Sequence, residues 1–442
     1  MRARTKIALV GLLALGIGLP VVALGPEDSI DRPVTATRTA ERVTPVAADV
    51  VTIYNSGNLK ADVASRAESA ARAAGATLAF GRAASVPMTG LYRGAAPVQL
   101  PPLGFAYPMG TTVLPHEVVA RTMGNDVAQY LTPDTLVMGE VSARLRGAQA
   151  GDTVLLTASS GTTTSFRIAA VLPASRVGGT ELLMSPQAGE RLGIVQLSRA
   201  VIWGFPSRAA IDGALAANGL VSTTVRIRRS WDPADPDDTI GMAQTKATLG
   251  EFAYRVNSNG SVSQDDAWVS TYLPAGRELL DGSIPIVARC HNSVKPAIQA
   301  ALAEVAAAGL AATINVTDAN TAGGCHLARF NRLTPDSALG FLSRHSWAMA
   351  IDTNTTGSCQ GCAPPDLDCR TVQIFRKHGF AWGGNFLTPD GMHFEWVGER
   401  RDLLAYPSRF CPNVATGALA LDNGEAGAER LYADDGLYVG DH

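Results

Sequence analysis

Two short stretches near the C-terminal end, "SRHSWAMAID" at 343–352 and "PDGMHFEW" at 389–396, determine the fold and the chemistry that this sequence predicts. Each places a histidine close to a carboxylate, in a chain of 442 residues that has only seven histidines. The pair predicts either a metal site assembled from two parts of the sequence or two buried structural histidines with acidic neighbours.

Strand periodicity indicates where the polar side chains of these stretches point. Alternation places Asp352 at the end of a first strand, on the face that carries small residues. In a second strand, His393 and Glu395 share one face while the apolar residues beside them face the core. Asp390 lies in the turn before the second strand, and His345 lies in the loop before the first.

These residue types suit metal-dependent hydrolysis. A catalytic zinc site needs three nitrogen or oxygen ligands and one open position. It also needs a carboxylate that can take a proton from the attacking water. The two stretches supply all of these groups, although a single buried histidine beside an aspartate is usually structural.

The N-terminus predicts export. "MRARTK" carries three positive charges and precedes an uncharged apolar run from Ile7 to Leu24. This pattern is typical of a secretory signal or of an N-terminal membrane anchor, which we place at 1–25. We therefore expect a single-pass protein of the cell membrane with an extracytoplasmic catalytic domain, or a secreted protein if the segment is cleaved.

The composition indicates a folded protein, since 46% of the residues are hydrophobic and 17% are charged. The formal net charge of -3 argues against a nucleic-acid partner. Six cysteines lie between residues 290 and 411, and an even number in an exported domain predicts disulfides, with 15 possible pairings. A thiolate zinc knuckle at Cys359-x-x-Cys362 is the alternative.

The order of segments predicts an α+β fold with two folded parts. A polar linker at 26–49 leads to an α+β domain at 50–235, and the segment "RRSWDPADPDDTIG" marks a boundary. The second part lies beyond this boundary, carries the two motif stretches, and is predicted to have a small antiparallel sheet flanked by helices. We expect a weakly ordered tail at 413–442.

The middle region carries "VSARLRGAQAGDTVLL" followed by a strand "SFRIAAVL". This pattern resembles the extracytoplasmic core domain of MacB- and FtsX-like transport proteins. The resemblance implies a binding or spacing role for residues 50–235, with an envelope protein as a possible partner.

The C-terminal stretches carry a second resemblance. "SRHSWAMAID" resembles the S-x-H-x-x-G-x-A-x-D motif of the VanY-type D-alanyl-D-alanine carboxypeptidase family. "HGFAWGGNFLTPDGMHFEW" resembles the closing W-G-G-x-W…D-x-M-H-F-E motif of its endolysin-like branch, which cleaves L-alanyl-D-glutamate bonds. The likeness covers about 245–412 and implies that this part is a zinc peptidase domain, with Zn²⁺ on His345, Asp352 and His393. It also implies Asp390 as general base and Arg329 as the arginine that binds substrate or stabilises the oxyanion.

Other residues receive secondary roles. We expect Glu395 to orient His393 and to be the reserve base, and we expect Ser343 and Trp382 to contribute to substrate binding. The chain departs from the family pattern at Ala348, where glycine is usual, and at "NF" after "WGG". A cysteine-containing insert, "NTTGSCQGCAPPDLDC", follows Asp352 and is expected to reshape the cleft.

The sequence thus predicts an exported zinc peptidase that acts on the stem peptides of peptidoglycan. It leaves open a D-Ala-D-Ala carboxypeptidase or an L-Ala-D-Glu endopeptidase. The alternatives are a non-catalytic binding module of the cell envelope and a transporter-associated scaffold that retains the fold.

Overall fold

A computed structural model gives the fold of the chain and describes residues 49–221, 225–315, 324–332 and 338–413. The residues described from 49 onward form one compact unit. The predicted signal or anchor lies outside the described residues, as do all but one residue each of the predicted linker and tail. Within the ranges described, no helix is both long enough and apolar enough to cross a membrane.

The first half of the described chain is built on one large sheet. Its strands are β1 Val50–Tyr54, β2 Thr77–Arg93, β3 Ala96–Gln99, β4 Tyr107–Val113, β5 Thr135–Gly139, β6 Thr153–Thr157, β7 Thr163–Leu172, β8 Leu182–Met184, β9 Leu197–Trp203 and β10 Arg226–Arg229. Its helices are α1 Ala61–Ala73, α2 His116–Thr122, α3 Asn125–Ala128, α4 Glu140–Arg146, α5 Ala174–Val177, α6 Pro186–Arg191 and α7 Arg208–Ala217. The mixture of strands and helices predicted for residues 50–235 is present in the described part of this region.

Six strands of this sheet close on themselves. The order runs β10-β1-β9-β2-β4-β8-β5-β7-β6, and β6 pairs back onto β2. Only the β4–β8 and β5–β7 pairs are parallel. The 17-residue β2 takes part in both the ring and the open arm, and its register shifts after Gly81 against β9, after Met88 against β6 and after Leu91 against β3. One apolar cluster draws side chains from all six ring strands and fills the ring.

The second half carries smaller sheets. Its strands are β11 Tyr254–Val256, β12 Val262–Gln264, β13 Glu278–Leu279, β14 Val287–Ala288, β15 Ala350–Asp352, β16 Phe380–Trp382 and β17 His393–Trp396. Its α-helices are α8 Met242–Leu249, α9 Asp266–Tyr272, α10 Lys295–Ala307 and α11 Cys369–Lys377, and its 3₁₀ helices are Ala311–Thr313, Arg344–Trp347 and Gly383–Asn385. The sheet β15-β17-β16 is antiparallel, and α11 packs against both β16 and α10. The chain is therefore a mixed α/β protein with the predicted small antiparallel sheet.

The segment "ATINV" at 312–316 has β-branched residues that predict a strand, and this prediction is wrong for its described residues, 312–315. Ala312 and Thr313 contribute to a 3₁₀ helix at Ala311–Thr313 instead. Thr313 donates from both its backbone N–H and its hydroxyl to Leu310 O, at 2.8 and 2.7 Å. These local hydrogen bonds compete with strand pairing and fix a turn after α10.

The Pro-Asp segment predicted as a boundary begins within β10 and is packed inside the molecule. Asp237 is buried and accepts from Arg376 Nε and Nη2, at 2.9 and 2.6 Å. It also accepts from Trp382 N and Asn385 Nδ2, at 3.1 and 2.7 Å. The predicted domain limits stay a prediction, and the first half is not a confirmed separate domain.

A buried ion cluster joins the ring to α8. Glu181 accepts from Arg146 Nη2 at 3.1 Å and from Lys246 Nζ at 2.8 Å, and Glu251 contacts both cations. Burial opposes ionisation of Glu181, but the two cations outweigh it and lower the pKa of this carboxyl. All four charged side chains are almost fully removed from water, so the cost of burying each one is offset by its oppositely charged partners.

We expect Glu181→Gln to lower the free energy of unfolding at pH 7 by about 3 kcal/mol, because it leaves buried cations with less compensation. The contribution of Glu181 is complete above its unfolded pKa of 4.5 and is lost as the pH falls through the lower folded pKa. The difference between wild type and variant should therefore shrink in acid. Urea unfolding at pH 7 and pH 4 measures it.

Glu190→Gln is the control, because Glu190 pairs with Arg82 at 3.2 Å on the surface and is 54% exposed. Its substitution should change the free energy of unfolding by less than about 0.5 kcal/mol. Equal stability of the Glu181→Gln variant and wild type at pH 7 would contradict the account of the buried cluster.

Candidate metal centre

Strand register brings the two motif stretches together. In the antiparallel pair β15–β17, Asp352 lies opposite His393 and Ala350 lies opposite Glu395. Opposite residues in such a pair have Cβ atoms about 4.5–5.5 Å apart. A separation of 41 residues in sequence thus becomes a direct contact.

His345 comes from the 3₁₀ helix that precedes β15. The side chain of Ser343 caps this helix and accepts from His345 N at 3.3 Å. The helix ends at Ala348, which has φ 52° and ψ 31°. This left-handed conformation is uncommon for residues other than glycine and explains why the related motif has glycine at this position.

The two predicted histidine ligands approach the same carboxylate oxygen of the third predicted ligand, Asp352. His345 Nε2 lies 3.3 Å from Asp352 Oδ1, and His393 Nδ1 lies 3.2 Å from the same atom. Their ligand atoms all fall within 4.8 Å of one another. Both histidines are buried and Asp352 is partly exposed, so the group is reached from one side.

This donor set fits zinc. Two imidazole nitrogens and one carboxylate oxygen are ligands of catalytic zinc sites. Ligands bound at about 2.0–2.1 Å in tetrahedral geometry lie about 3.3 Å apart, close to the distances seen here. The Nδ1 of His345 faces Cys325 O at 3.3 Å, which leaves Nε2 toward Asp352.

His393 is held from both sides. Its Nδ1 faces Asp352, and its Nε2 lies 3.5 Å from Glu395 Oε2. Burial lowers the pKa of His393, but hydrogen bonds to the two carboxylates prevail and raise it to about 10. Metal binding to this ring must therefore displace a proton.

Glu395 also forms an ion pair with a buried arginine. Arg344 Nε lies 3.2 Å from Glu395 Oε1, and both side chains are fully buried. Arg344 Nη1 donates to Thr245 Oγ1 at 2.8 Å and Nη2 to Ile240 O at 2.5 Å. Glu395 thus contacts His393 on the nitrogen opposite Asp352, a position that suits an orienting partner better than a base.

Asp390 is fully buried beside this group. Its backbone N donates to Gly383 O at 2.8 Å, and its O accepts from His393 N at 3.1 Å. Burial raises the pKa of Asp390 to about 7, helped by Asp352 and opposed by the positive charges of His393, Arg332 and Arg329. A carboxyl with a pKa near neutrality can both accept and release a proton at physiological pH.

Arg329 lies on a segment that pairs with the His345 helix. Arg329 N donates to Ser346 Oγ at 3.2 Å, and Leu327 N donates to His345 O at 3.0 Å. The guanidinium is close enough to influence the charge of Asp390. Arg329 Nη1 donates to Phe330 O at 3.1 Å, and the predicted role of Arg329 in binding substrate or the oxyanion stays a prediction.

The two remaining candidates for substrate binding lie in the core. Ser343 is fully buried at the start of the His345 helix. Trp382 is fully buried, and its indole N–H donates to Gly391 O at 2.8 Å. Both support loops that carry site residues, and their contact with substrate stays a prediction.

Sequence reasoning did not find Arg344 and Gln264. Arg344 stands between Ser343 and His345, and a charge within a buried motif was the signal for it. Gln264 Oε1, on β12, accepts from His326 Nε2 at 2.7 Å, and Gln264 Nε2 donates to Ser346 O at 2.7 Å. Nothing in the sequence around Gln264 marks it.

The six cysteines form three disulfides, Cys290–Cys325, Cys359–Cys362 and Cys369–Cys411, and none is free. The predicted disulfides are thus present, and the thiolate zinc knuckle is wrong. The first disulfide fixes the segment whose carbonyl, Cys325 O, faces His345.

Two histidines, an aspartate and a buried carboxyl are the residue types that metal-dependent hydrolases use. The model of the D-alanyl-D-alanine carboxypeptidase family matches residues 337–396, which include the three candidate ligands and Asp390. This match supports the VanY-type family for the C-terminal region and a peptidase related to peptidoglycan. No curated protein matches the chain. The likeness of residues 50–235 to MacB- and FtsX-like domains stays a prediction.

We expect Gly383→Ala to displace Asp390. A Cβ at Gly383 would lie 2.6 Å from Asp390 O and 3.2 Å from His393 Cβ, so the backbone must shift. Peptide hydrolysis and zinc affinity should each fall by about tenfold or more, measured by rate assay and competition with a chelator. Gly213→Ala, in α7 with open space around it, is the control and should keep both. Unchanged hydrolysis in Gly383→Ala would contradict this packing.

Proposed function

We propose that this protein is an exported, zinc-dependent peptidase that hydrolyses peptide bonds in the stem peptides of peptidoglycan. The observation that carries the proposal is the convergence of His345, Asp352 and His393 on one site, with Asp390 buried beside them. The family match over the same residues supports this class of activity.

His345, Asp352 and His393 would hold the metal. When bound, Zn²⁺ would polarise the scissile carbonyl and lower the pKa of the attacking water. Glu395, fixed by Arg344, keeps the ring of His393 oriented toward Asp352.

Asp390 is proposed as the general base. Its buried carboxyl accepts the proton of the attacking water and then delivers it to the leaving amine. A pKa near 7 suits both steps. Arg329 binds a substrate carboxylate or the developing oxyanion, since its planar guanidinium can donate two parallel hydrogen bonds. If the site recognises a free terminal carboxylate of the substrate, the enzyme is a carboxypeptidase. If it does not require that carboxylate, the enzyme is an endopeptidase.

We propose an extracytoplasmic location, anchored by or released from the N-terminal apolar segment. Three disulfides in the C-terminal half support an oxidising compartment. A non-catalytic binding module could dispense with the base, whereas here Asp390 is present and buried at the site.

The test uses the full chain, purified in oxidised form and loaded with zinc. It is incubated with muropeptides that end in D-alanyl-D-alanine, with and without a chelator, and the products are identified by mass. Chelator-sensitive loss of one alanine would support a carboxypeptidase, and a cut between L-alanine and D-glutamate an endopeptidase. Zinc binding without any release of fragments would favour the binding module.

We expect Asp390→Asn to lower kcat by about 10²- to 10⁴-fold, because the isosteric amide cannot take the proton. Zinc stoichiometry should stay that of wild type, since Asp390 is not among the proposed ligands. Asp134→Asn, at a side chain that is 82% exposed, is the control and should keep kcat. Full activity of Asp390→Asn would assign the base to another residue, with Glu395 the next candidate.

A further inference from the structure

The segment after Asp352, residues 354–368, is here named the cysteine loop, and it packs against the turn that carries Asp390. We infer that this loop positions Asp390 for catalysis through a disulfide-closed turn at Cys359–Cys362. The inference rests on the proposed function and adds a positioning element that the two motif stretches do not contain.

The tip of the cysteine loop is a tight turn closed in two ways. Cys362 N donates to Cys359 O at 2.9 Å, and the two cysteines form a disulfide. Gly361, the third residue of the turn, has φ +84°, a conformation that favours glycine. The central residues Gln360 and Gly361 are therefore held in one conformation.

These central residues pair with the turn that carries Asp390. Gln360 forms an antiparallel bridge with Asp390, and Gly361 N donates to Pro389 O at 2.6 Å. Further along the pairing, Met392 N donates to Ser358 O at 2.8 Å. Pro389, before Asp390 in sequence, and Met392, after it, are thus both hydrogen-bonded to the cysteine loop.

Packing leaves the two segments little freedom to separate or slide. At Gly391, an added Cβ would lie 2.4 Å from Pro365 Cβ and 3.0 Å from Ser358 Cβ. Ser358 is itself fixed, because its hydroxyl donates to Asp366 Oδ1 at 2.5 Å. The close approach of the Pro365 and Ser358 side chains to this backbone requires glycine at 391.

Asp390 is therefore supported by two separate elements. Gly383 O accepts from its N–H on one side, and the cysteine loop pairs with its turn on the other. The proposed ligand side chains are held by other contacts, with one another, with Cys325 O and with Glu395. Loosening the turn should consequently reduce kcat and spare zinc affinity.

The first test is Gly361→Ala in the full chain. A Cβ at Gly361 would meet no atom within 4 Å, so the substitution acts only through the backbone conformation. Gly260→Ala is a matched control, since Gly260 has φ +80°, equally open surroundings, and a place in the turn between β11 and β12. The second test is Cys359→Ser/Cys362→Ser, with Cys369→Ser/Cys411→Ser as control. The control disulfide closes 42 residues rather than 3, so its loss costs more stability.

For Gly361→Ala and Cys359→Ser/Cys362→Ser we expect kcat on muropeptides to fall by on the order of 10- to 100-fold. Their KM and zinc dissociation constant should stay within about twofold of wild type. Both controls should keep kcat. Wild-type kcat in the two loop variants, or an equal loss in the controls, overturns the inference alone. No hydrolysis by the wild-type chain overturns the proposed function and this inference with it.

Discussion

The site depends on one strand register, in which Asp352 of β15 lies opposite His393 of β17. That pairing lets a single carboxylate oxygen meet both imidazoles, at 3.2 and 3.3 Å. A slip of one residue would turn His393 to the opposite face of the sheet and separate it from Asp352 and His345. β16 on the other edge of β17 and the left-handed turn at Ala348 hold the register.

Buried charge extends from this site into the rest of the molecule. Glu395 behind His393 is paired with Arg344, whose guanidinium reaches α8 through Thr245. The next residue of α8, Lys246, enters the ion cluster around Glu181 at the ring of strands. Each of these charges would be costly to bury alone, and this cost is offset by the opposite charges that pair with it. The buried charges near a candidate ligand and those at the ring of strands thus contact the same helix, α8.

Local features were predictable from the sequence, and long-range ones were not. Strand alternation predicted that Asp352 and His393 lie on two strands, and these strands are present as β15 and β17. The closed ring, the disulfide pairing and the burial of Asp237 depend on contacts between distant segments, which periodicity does not encode. "ATINV" has strand composition, yet hydrogen bonds from Thr313 to Leu310 O prevail. The cysteine loop was expected to reshape the cleft, but only the structure shows it paired with the turn of Asp390.

The central claim is that His345, Asp352 and His393 form one zinc site. The most direct measurement is the zinc K-edge X-ray absorption spectrum of the full chain loaded with one equivalent of zinc. The account predicts a first shell of nitrogen and oxygen at about 2.0–2.1 Å, with the outer-shell scattering of two imidazoles and no sulfur. A sulfur shell at about 2.3 Å, or scattering from fewer than two imidazoles, would contradict it.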